Sequence, residues 1–331
     1  MRARVWAAQD LGVNSTSAGS CTSHGAKRVD TRWLPKSPRF LSFVASSLLL
    51  YSCLAYAQPK EQSPEPEIVK IPVKGYSLLG TIDMVTEVFK PGGPGPFPVL
   101  LFSHGRAGTP VERTQLSVPI ARGHVSYWLK KGFAVVAPIR PGYGSTGGWD
   151  LEFSGAKFDQ WGNCSAVPDY SHAADAAKSS LRTALDWVQQ QSWAKPGAVV
   201  LEGLSMGGLA TVALAADDPP GIAGYINFSG GVGGNPALAP GKSCGPEEMR
   251  KVMGEFGKTT RVPSLWLYAE NDLYWGPDAP RNWHAAFAAA GSPTTFVMTT
   301  PVPDPDGHRL LLRGGRLWSV HTDAFIRQLG F

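Results

Sequence analysis

Three things are scarce in this sequence: cysteine, charge of a single sign in its main body, and apolar runs of membrane-spanning length. The chain has four cysteines. Cys21 and Cys53 fall in an N-terminal segment set apart below, which leaves Cys164 and Cys244. Neither has metal-ligand spacing, which argues against a zinc centre. In an exported chain the two remaining cysteines predict one disulfide. Excess positive charge is also missing where a nucleic acid would need it. The formal net charge is +5, but residues 1–57 hold seven Lys/Arg and two acids, so the remainder carries 24 of each sign. Without a basic face, no nucleic-acid partner is expected. The uncharged run 41–54 falls short of the roughly 20 residues that cross a bilayer, so the mature chain is expected to lack a stable membrane span. The glycine-rich segment 140–147 lacks the G-K-[ST] ending of a phosphate loop.

What is present at the N-terminus has the layout of a secretory signal peptide. Arg32, Lys36 and Arg39 precede the run 41–54, and Ala55-Tyr56-Ala57 follows as a cleavage site. Cleavage after Ala57 predicts a periplasmic or secreted protein. Cys53 as a lipoprotein processing site is the weaker reading, because Tyr51 is bulky for that motif. Residues 1–30 are long and shapeless for a leader and suggest a start codon assigned too early. The expected organisation is therefore a leader over 1–57, a proline-rich linker over 58–67 and one domain over 68–331.

With 43% hydrophobic residues, that domain can bury a sizeable core. Residues 68–90 read as two strands around a Lys74-Gly75 turn. Apolar runs at 98–102, 133–138, 198–201, 224–228, 264–268 and 294–299 read as strands, several of them apolar throughout, as in a parallel sheet covered on both faces. Helices are expected at 116–131, 173–190, 208–216, 282–290 and 317–329. Strands alternating with helices after an opening hairpin predict an α/β fold with a mostly parallel sheet. Two segments interrupt the alternation: 145–170, with Trp149, Trp161 and Cys164, and 229–262, with Cys244 and a short helix near 247–256. Both are expected to wall a pocket at the C-terminal sheet edge, tied by the Cys164–Cys244 disulfide.

The most informative residues are Gly203-Leu204-Ser205-Met206-Gly207, a G-x-S-x-G between an apolar strand and a small-residue helix. A serine on such a turn is strained and its hydroxyl is pushed outward, which leaves room only for glycine two residues either side. A serine needs a base, and the base an orienting carboxylate. Asp272, in the loop after the strand 264–268, is the candidate carboxylate, with Glu270 and Asp278 as competitors. His308 follows Asp306-Gly307 in the loop before the terminal helix, whereas His321 lies within that helix and reads as structural. The oxyanion of an acyl transfer needs two backbone donors. Met206 N–H is one. Arg106 N–H, in the loop Ser103-His104-Gly105-Arg106-Ala107-Gly108, is first choice for the other and Ala107 N–H the second. The Arg106 side chain either meets an acidic substrate or stays in solvent. Arg140 is expected to pair with a buried carboxylate, and His104, Tyr143, Trp149 and Trp275 are candidates to line the pocket.

These residues carry a family resemblance. From about Ile68 to Phe331 the chain resembles the α/β-hydrolases, through His104-Gly105, Arg140-Pro141-Gly142-Tyr143-Gly144, Gly203 to Gly208, Asp272 and Gly307-His308. With no large cap domain in view, it is most similar to the dienelactone hydrolase-like and prolyl-oligopeptidase-like branches. Dienelactone hydrolases usually use a cysteine nucleophile, so Ser205 favours ester or peptide chemistry. The resemblance implies a serine hydrolase acting on small carboxylic esters through an acyl-enzyme, without metal or cofactor. The alternatives are a prolyl-oligopeptidase-like peptidase, a lactone hydrolase, and a non-catalytic binding protein on the same fold.

Overall fold

The computed structural model describes residues 64–78 and 80–331. The leader over 1–57, the cleavage site after Ala57, Cys53 and the linker up to residue 63 lie outside the described residues.

Among these residues, β1 (Glu67–Lys74) and β2 (Thr81–Phe89) form the opening hairpin, and β3 (Phe97–Ser103), β4 (Ala134–Pro138), β5 (Ala194–Leu204), β6 (Ile222–Phe228), β7 (Ser264–Ala269) and β8 (Thr294–Thr299) follow. They join in one sheet in the order β1-β2-β4-β3-β5-β6-β7-β8. The β1–β2 and β2–β4 pairs are antiparallel, and every other pair is parallel. The helices are α1 (Pro110–Thr114), α2 (Arg122–Leu129), α3 (Tyr170–Val188), α4 (Met206–Ala216), α5 (Pro246–Thr259), α6 (Asp278–Ala289), α7 (Leu310–Arg313) and α8 (Gly315–Gln328).

The wholly apolar strands serve two cores at once. Val99 and Leu101 pack with residues of α3, α4 and α6, such as Leu185, Leu209 and Trp283. Their neighbours Leu100 and Phe102 pack with Trp128 of α2 and with Trp318 and Phe325 of α8. The period of two along each strand divides its side chains between helices on opposite faces, so alternation with polar residues is absent where both faces are covered.

One expected helix is wrong. Residues 116–131 are not one helix: α1 ends at Thr114 and α2 starts at Arg122, with 115–121 irregular. Pro119 explains the break, since it lacks an N–H and disfavours helical geometry in the residue before it. The first helical turn lies earlier, where Thr109 and Glu112 form a reciprocal capping box ahead of Pro110.

The strand order also fixes where a site can lie. β3 pairs with β4 on one side and β5 on the other. The chain leaves β3 for α2 on one face, and leaves β5 for α4 on the other. Two adjacent parallel strands whose connections part in this way open a crevice at their C-terminal ends. The segments 145–170 and 229–262 add no large cap among the described residues. Cys164 and Cys244 are joined as a disulfide across a sequence separation of 80, with their Cα atoms 4.9 Å apart. On a chain-entropy argument, closing a loop of that length contributes roughly 4 kcal/mol.

Candidate active site

Ser205 sits at the tip of β5, in the crevice, immediately before α4. Its backbone has φ 56° and ψ −119°, one of three non-glycine residues with positive φ among those described. A conformation of this kind costs about 1–3 kcal/mol and is held here by its surroundings. Ser205 N–H donates to Phe228 O at 2.9 Å, and Ser205 O accepts from Leu209 and Gly231, each at 3.1 Å. The flanking glycines are required by close backbone approach. A Cβ on Gly203 would overlap Gly207 O, and one on Gly207 would overlap Ser103 O. Met206, the first residue of α4, presents its N–H with the other unpaired donors of that helix end.

Asp272 lies in the loop after β7. Its Oδ1 accepts the backbone N–H groups of Tyr274 at 2.8 Å and Trp275 at 3.1 Å, and its Oδ2 faces His308 Nδ1 at 3.0 Å. Both side chains are shielded, at 0% and 2% exposure. A carboxylate only accepts, so Nδ1 carries the proton, and in the neutral ring the lone pair is on Nε2. Two residues that the sequence did not single out fasten the acid loop to the histidine loop. Asn271 donates to Asp304 O and accepts from Val302 N–H, at 3.0 and 2.9 Å. Asp306 Oδ1 accepts from Leu273 N–H and His308 N–H, at 3.0 and 2.9 Å. Asp306 was legible as a cap ahead of a short helical turn, but its partner across the loops was not.

The serine and the Asp272–His308 pair meet through a common wall. A Cβ on Gly231, the residue bonded to Ser205 O, would lie 3.1 Å from Trp275 Cζ2. Trp275 donates its indole N–H to Ser229 O at 2.9 Å and stands edge-on to His308, with ring centroids 5.4 Å apart. Among the described residues, the imidazole's hydrogen bond is the one to Asp272, and none joins it to Ser205 Oγ. Such contacts are often long without substrate and tighten in the complex. The loop after β3 borders the serine directly, since a Cβ on Gly105 would lie 3.5 Å from Ser205 Cβ. That proximity puts the Arg106 region beside the place where an oxyanion would form.

Of the four pocket-lining candidates, Trp275 alone has a place in this wall. His104 is buried, its Nδ1–H donating to Gly105 O at 2.8 Å and its Nε2 accepting from Arg140 N–H at 3.0 Å. Burial, reinforced by the Arg140 charge, holds this imidazole well below its ordinary pKa, so it stays neutral and braces the loop. Tyr143 is buried too, with its hydroxyl donating to Glu152 Oε2 at 2.7 Å. Trp149 is half-exposed and its N–H donates to Tyr76 O, beside the opening hairpin. A groove of about 360 Å³ runs along Trp275, Trp283, Lys242, Asp278 and Asn282, and Ser205 and His308 are not part of its lining.

Beneath the loop after β3 lies a buried ionic network. Arg140, at 0% exposure, donates to Glu152 Oε1 at 2.6 Å and Oε2 at 3.1 Å, to Ser103 Oγ at 3.0 Å, and to His104 O. Burial opposes its charge, but Glu152 and Tyr143 outweigh burial and the net pKa shift is upward. The buried carboxylate expected for Arg140 is thus Glu152. The Arg106 side chain neither stands in solvent nor offers itself to a ligand, since it grips Asp150 with two bonds of 2.6 Å. Arg113 reaches the same carboxylate at 3.1 Å. Removing one partner of a buried pair leaves a charge without compensation, at about 3–5 kcal/mol. Glu152→Gln is therefore expected to lower the thermal midpoint by roughly 10 °C, read by scanning calorimetry. A shift under about 2 °C would mean that Arg140 finds other compensation.

Among the described residues, no three His, Cys, Asp or Glu side chains cluster as metal ligands, and no helix is long and apolar enough to cross a membrane.

Residues 80–249, just over half of the chain, match the family described as X-Pro dipeptidyl-peptidase (S15 family). The chain belongs to this family. It is an α/β-hydrolase, with the Gly203–Gly207 segment and the loop after β3 inside the S15 match and the Asp272 and His308 loops beyond it. Solved structures share the fold at low identity. An esterase from Pyrococcus furiosus aligns over 93% of this chain and 100% of its own, with TM-score 0.54 and 13% identity. An acylaminoacyl peptidase from Pyrococcus horikoshii aligns over 82% of this chain and 42% of its own, with TM-score 0.55 and 14% identity. An acylaminoacyl peptidase in complex with Z-Gly-Gly-Phe-chloromethyl ketone covers 80% and 41%, with TM-score 0.54 and 13% identity. The chain therefore spans less than half the length of these two peptidases. No curated protein matches it.

Proposed function

We propose that this S15-family hydrolase is an exported serine hydrolase that cleaves carboxylic esters. The observation that carries the reading is a strained serine at the N-terminus of α4, linked through Gly231 and Trp275 to a buried histidine whose Nδ1 is bonded to an aspartate. Ser205 Oγ attacks the acyl carbon and its proton passes to His308 Nε2. Met206 N–H and a donor from the Arg106 region bind the oxyanion. Collapse expels the alcohol, which takes the proton from His308. Water then repeats the sequence on the acyl-enzyme and releases the acid. Export is supported by the leader composition and by the Cys164–Cys244 bond, since disulfides persist in oxidising compartments.

The S15 match favours a second reading, cleavage of an amide after an X-Pro dipeptide. An enzyme of that kind must recognise a free α-ammonium, and an unpaired carboxylate near the crevice would serve. The acids beside the loop after β3, Asp150 and Glu152, are instead held by Arg106, Arg113 and Arg140. This favours the ester. A fluorophosphonate probe is expected to label Ser205, mapped by peptide mass, and p-nitrophenyl acetate to be turned over with a higher kcat/KM than Gly-Pro-p-nitroanilide. The reverse preference would select the peptidase, and absence of labelling would remove the serine mechanism.

A further inference from the structure

The histidine at the site is enclosed on more than its aspartate side. The Tyr274 ring lies over the face of the His308 imidazole, with centroids 4.0 Å apart and planes inclined by 27°. Trp275 meets the same imidazole edge-on, at 5.4 Å and 77°. Tyr274 is not loosely placed. Its N–H is one of the two donors on Asp272 Oδ1, so the acid that holds Nδ1 also holds the backbone that carries the stacked ring. The segment at Gly233-Gly234, bridged to Ser243, also packs against the pair. A Cβ on Gly234 would come within 2.9 Å of the Tyr274 side chain and 2.8 Å of the Trp275 ring. The imidazole is thus bonded at Nδ1, stacked on Tyr274 and packed against Trp275, which leaves Nε2 as its other nitrogen.

We infer that Tyr274 is a positioning residue for His308, whose ring face both fixes the imidazole plane and stabilises the imidazolium formed while the Ser205 proton resides on Nε2. This rests on the serine-hydrolase reading above. The physical argument is differential. In the mechanism proposed above the base starts as a neutral imidazole and is a cation in each tetrahedral intermediate. An aromatic face attracts a cation through its quadrupole and does little for the neutral ring. The part of Tyr274 invoked here is the ring face.

The test compares Tyr274→Phe with Tyr274→Leu, on the mature full-length protein. Tyr274→Phe keeps an aromatic face and is expected to hold kcat for p-nitrophenyl acetate within about twofold, whereas Tyr274→Leu loses roughly tenfold in kcat with KM nearly unchanged. Stacking at this distance also shields the imidazole protons. The His308 ring signals, assigned against His308→Gln in proton NMR, move downfield in Tyr274→Leu and stay in place in Tyr274→Phe. If the leucine variant does not fold, Tyr274→Met makes the same comparison. Wild-type kcat in the leucine variant, with Ser205 still labelled by fluorophosphonate, overturns the inference and spares the mechanism. An equal loss in both variants also overturns it, because the hydroxyl would then be the active part. Failure of the wild type to label at Ser205 removes the mechanism itself and the inference with it.

Discussion

Ser205→Ala is expected to lower kcat for p-nitrophenyl acetate by about a millionfold, to abolish fluorophosphonate labelling, and to leave thermal unfolding nearly unchanged. Alanine keeps the Cβ and hence the same strained backbone, so only the hydroxyl is lost. The informative companion is Ser205→Gly. Residue 205 has φ 56° and ψ −119°, a conformation that glycine adopts without the Cβ penalty. Relief of about 1–3 kcal/mol of strain, less up to about 1 kcal/mol for the looser unfolded chain, leaves a net gain of about 1–2 kcal/mol. The glycine variant should be as inactive as the alanine variant and unfold several degrees higher. Strain of this kind persists only where neighbours over-determine it, and here the bonds to Phe228, Leu209 and Gly231 do so. An alanine variant that kept ester turnover would remove Ser205 as nucleophile, and a glycine variant that unfolded lower would remove the strain argument.

The sheet was legible because burial on both faces leaves apolar runs without alternation, and because the G-x-S-x-G segment implies a strand, a turn and a helix in that order. The placements of Asp272 and His308 after successive strands were legible for the same reason: polar residues and glycine follow directly on apolar runs. What was not legible depends on contacts between distant segments. Arg140 in a glycine-rich loop implied some buried acid, but Glu152 is one of several acids nearby and only folding selects it. His104 and Tyr143 resemble pocket residues in sequence, yet the buried Arg140 draws them into its own network beneath the loop. Tyr274 reads as one more aromatic beside Trp275, and its stacking on His308 needs two loops, separated in sequence by a strand and a helix, to meet. The split between α1 and α2 was present as Pro119, which the reading of 116–131 as one helix passed over.

Asp272→Asn is expected to cost about 10⁴-fold in kcat while preserving the fold, and the local hydrogen bonds explain why so small a change would do so much. Oδ1 is claimed by the N–H groups of Tyr274 and Trp275, at 2.8 and 3.1 Å. An asparagine here must keep its carbonyl oxygen on those donors, since its amide nitrogen accepts nothing. That sets the NH₂ at the place of Oδ2, facing His308 Nδ1. A donor there forces Nδ1 to accept, and the imidazole proton moves to Nε2. In the proposed mechanism Nε2 is the nitrogen that receives the Ser205 proton, so the base would be blocked in the wrong tautomer with its position almost unchanged. KM should stay within a few-fold and the unfolding midpoint near that of the wild type. Asp272→Ala would lose the two backbone acceptor bonds as well, with a cost of about 1–2 kcal/mol in stability that the asparagine variant avoids. Steady-state kinetics with calorimetry on the two variants separates loss of the tautomer from loss of the turn. If the asparagine variant kept activity within tenfold of the wild type, the orienting acid would have to be sought elsewhere, with Glu270 and Asp278 the nearest candidates in sequence, both of them exposed to solvent.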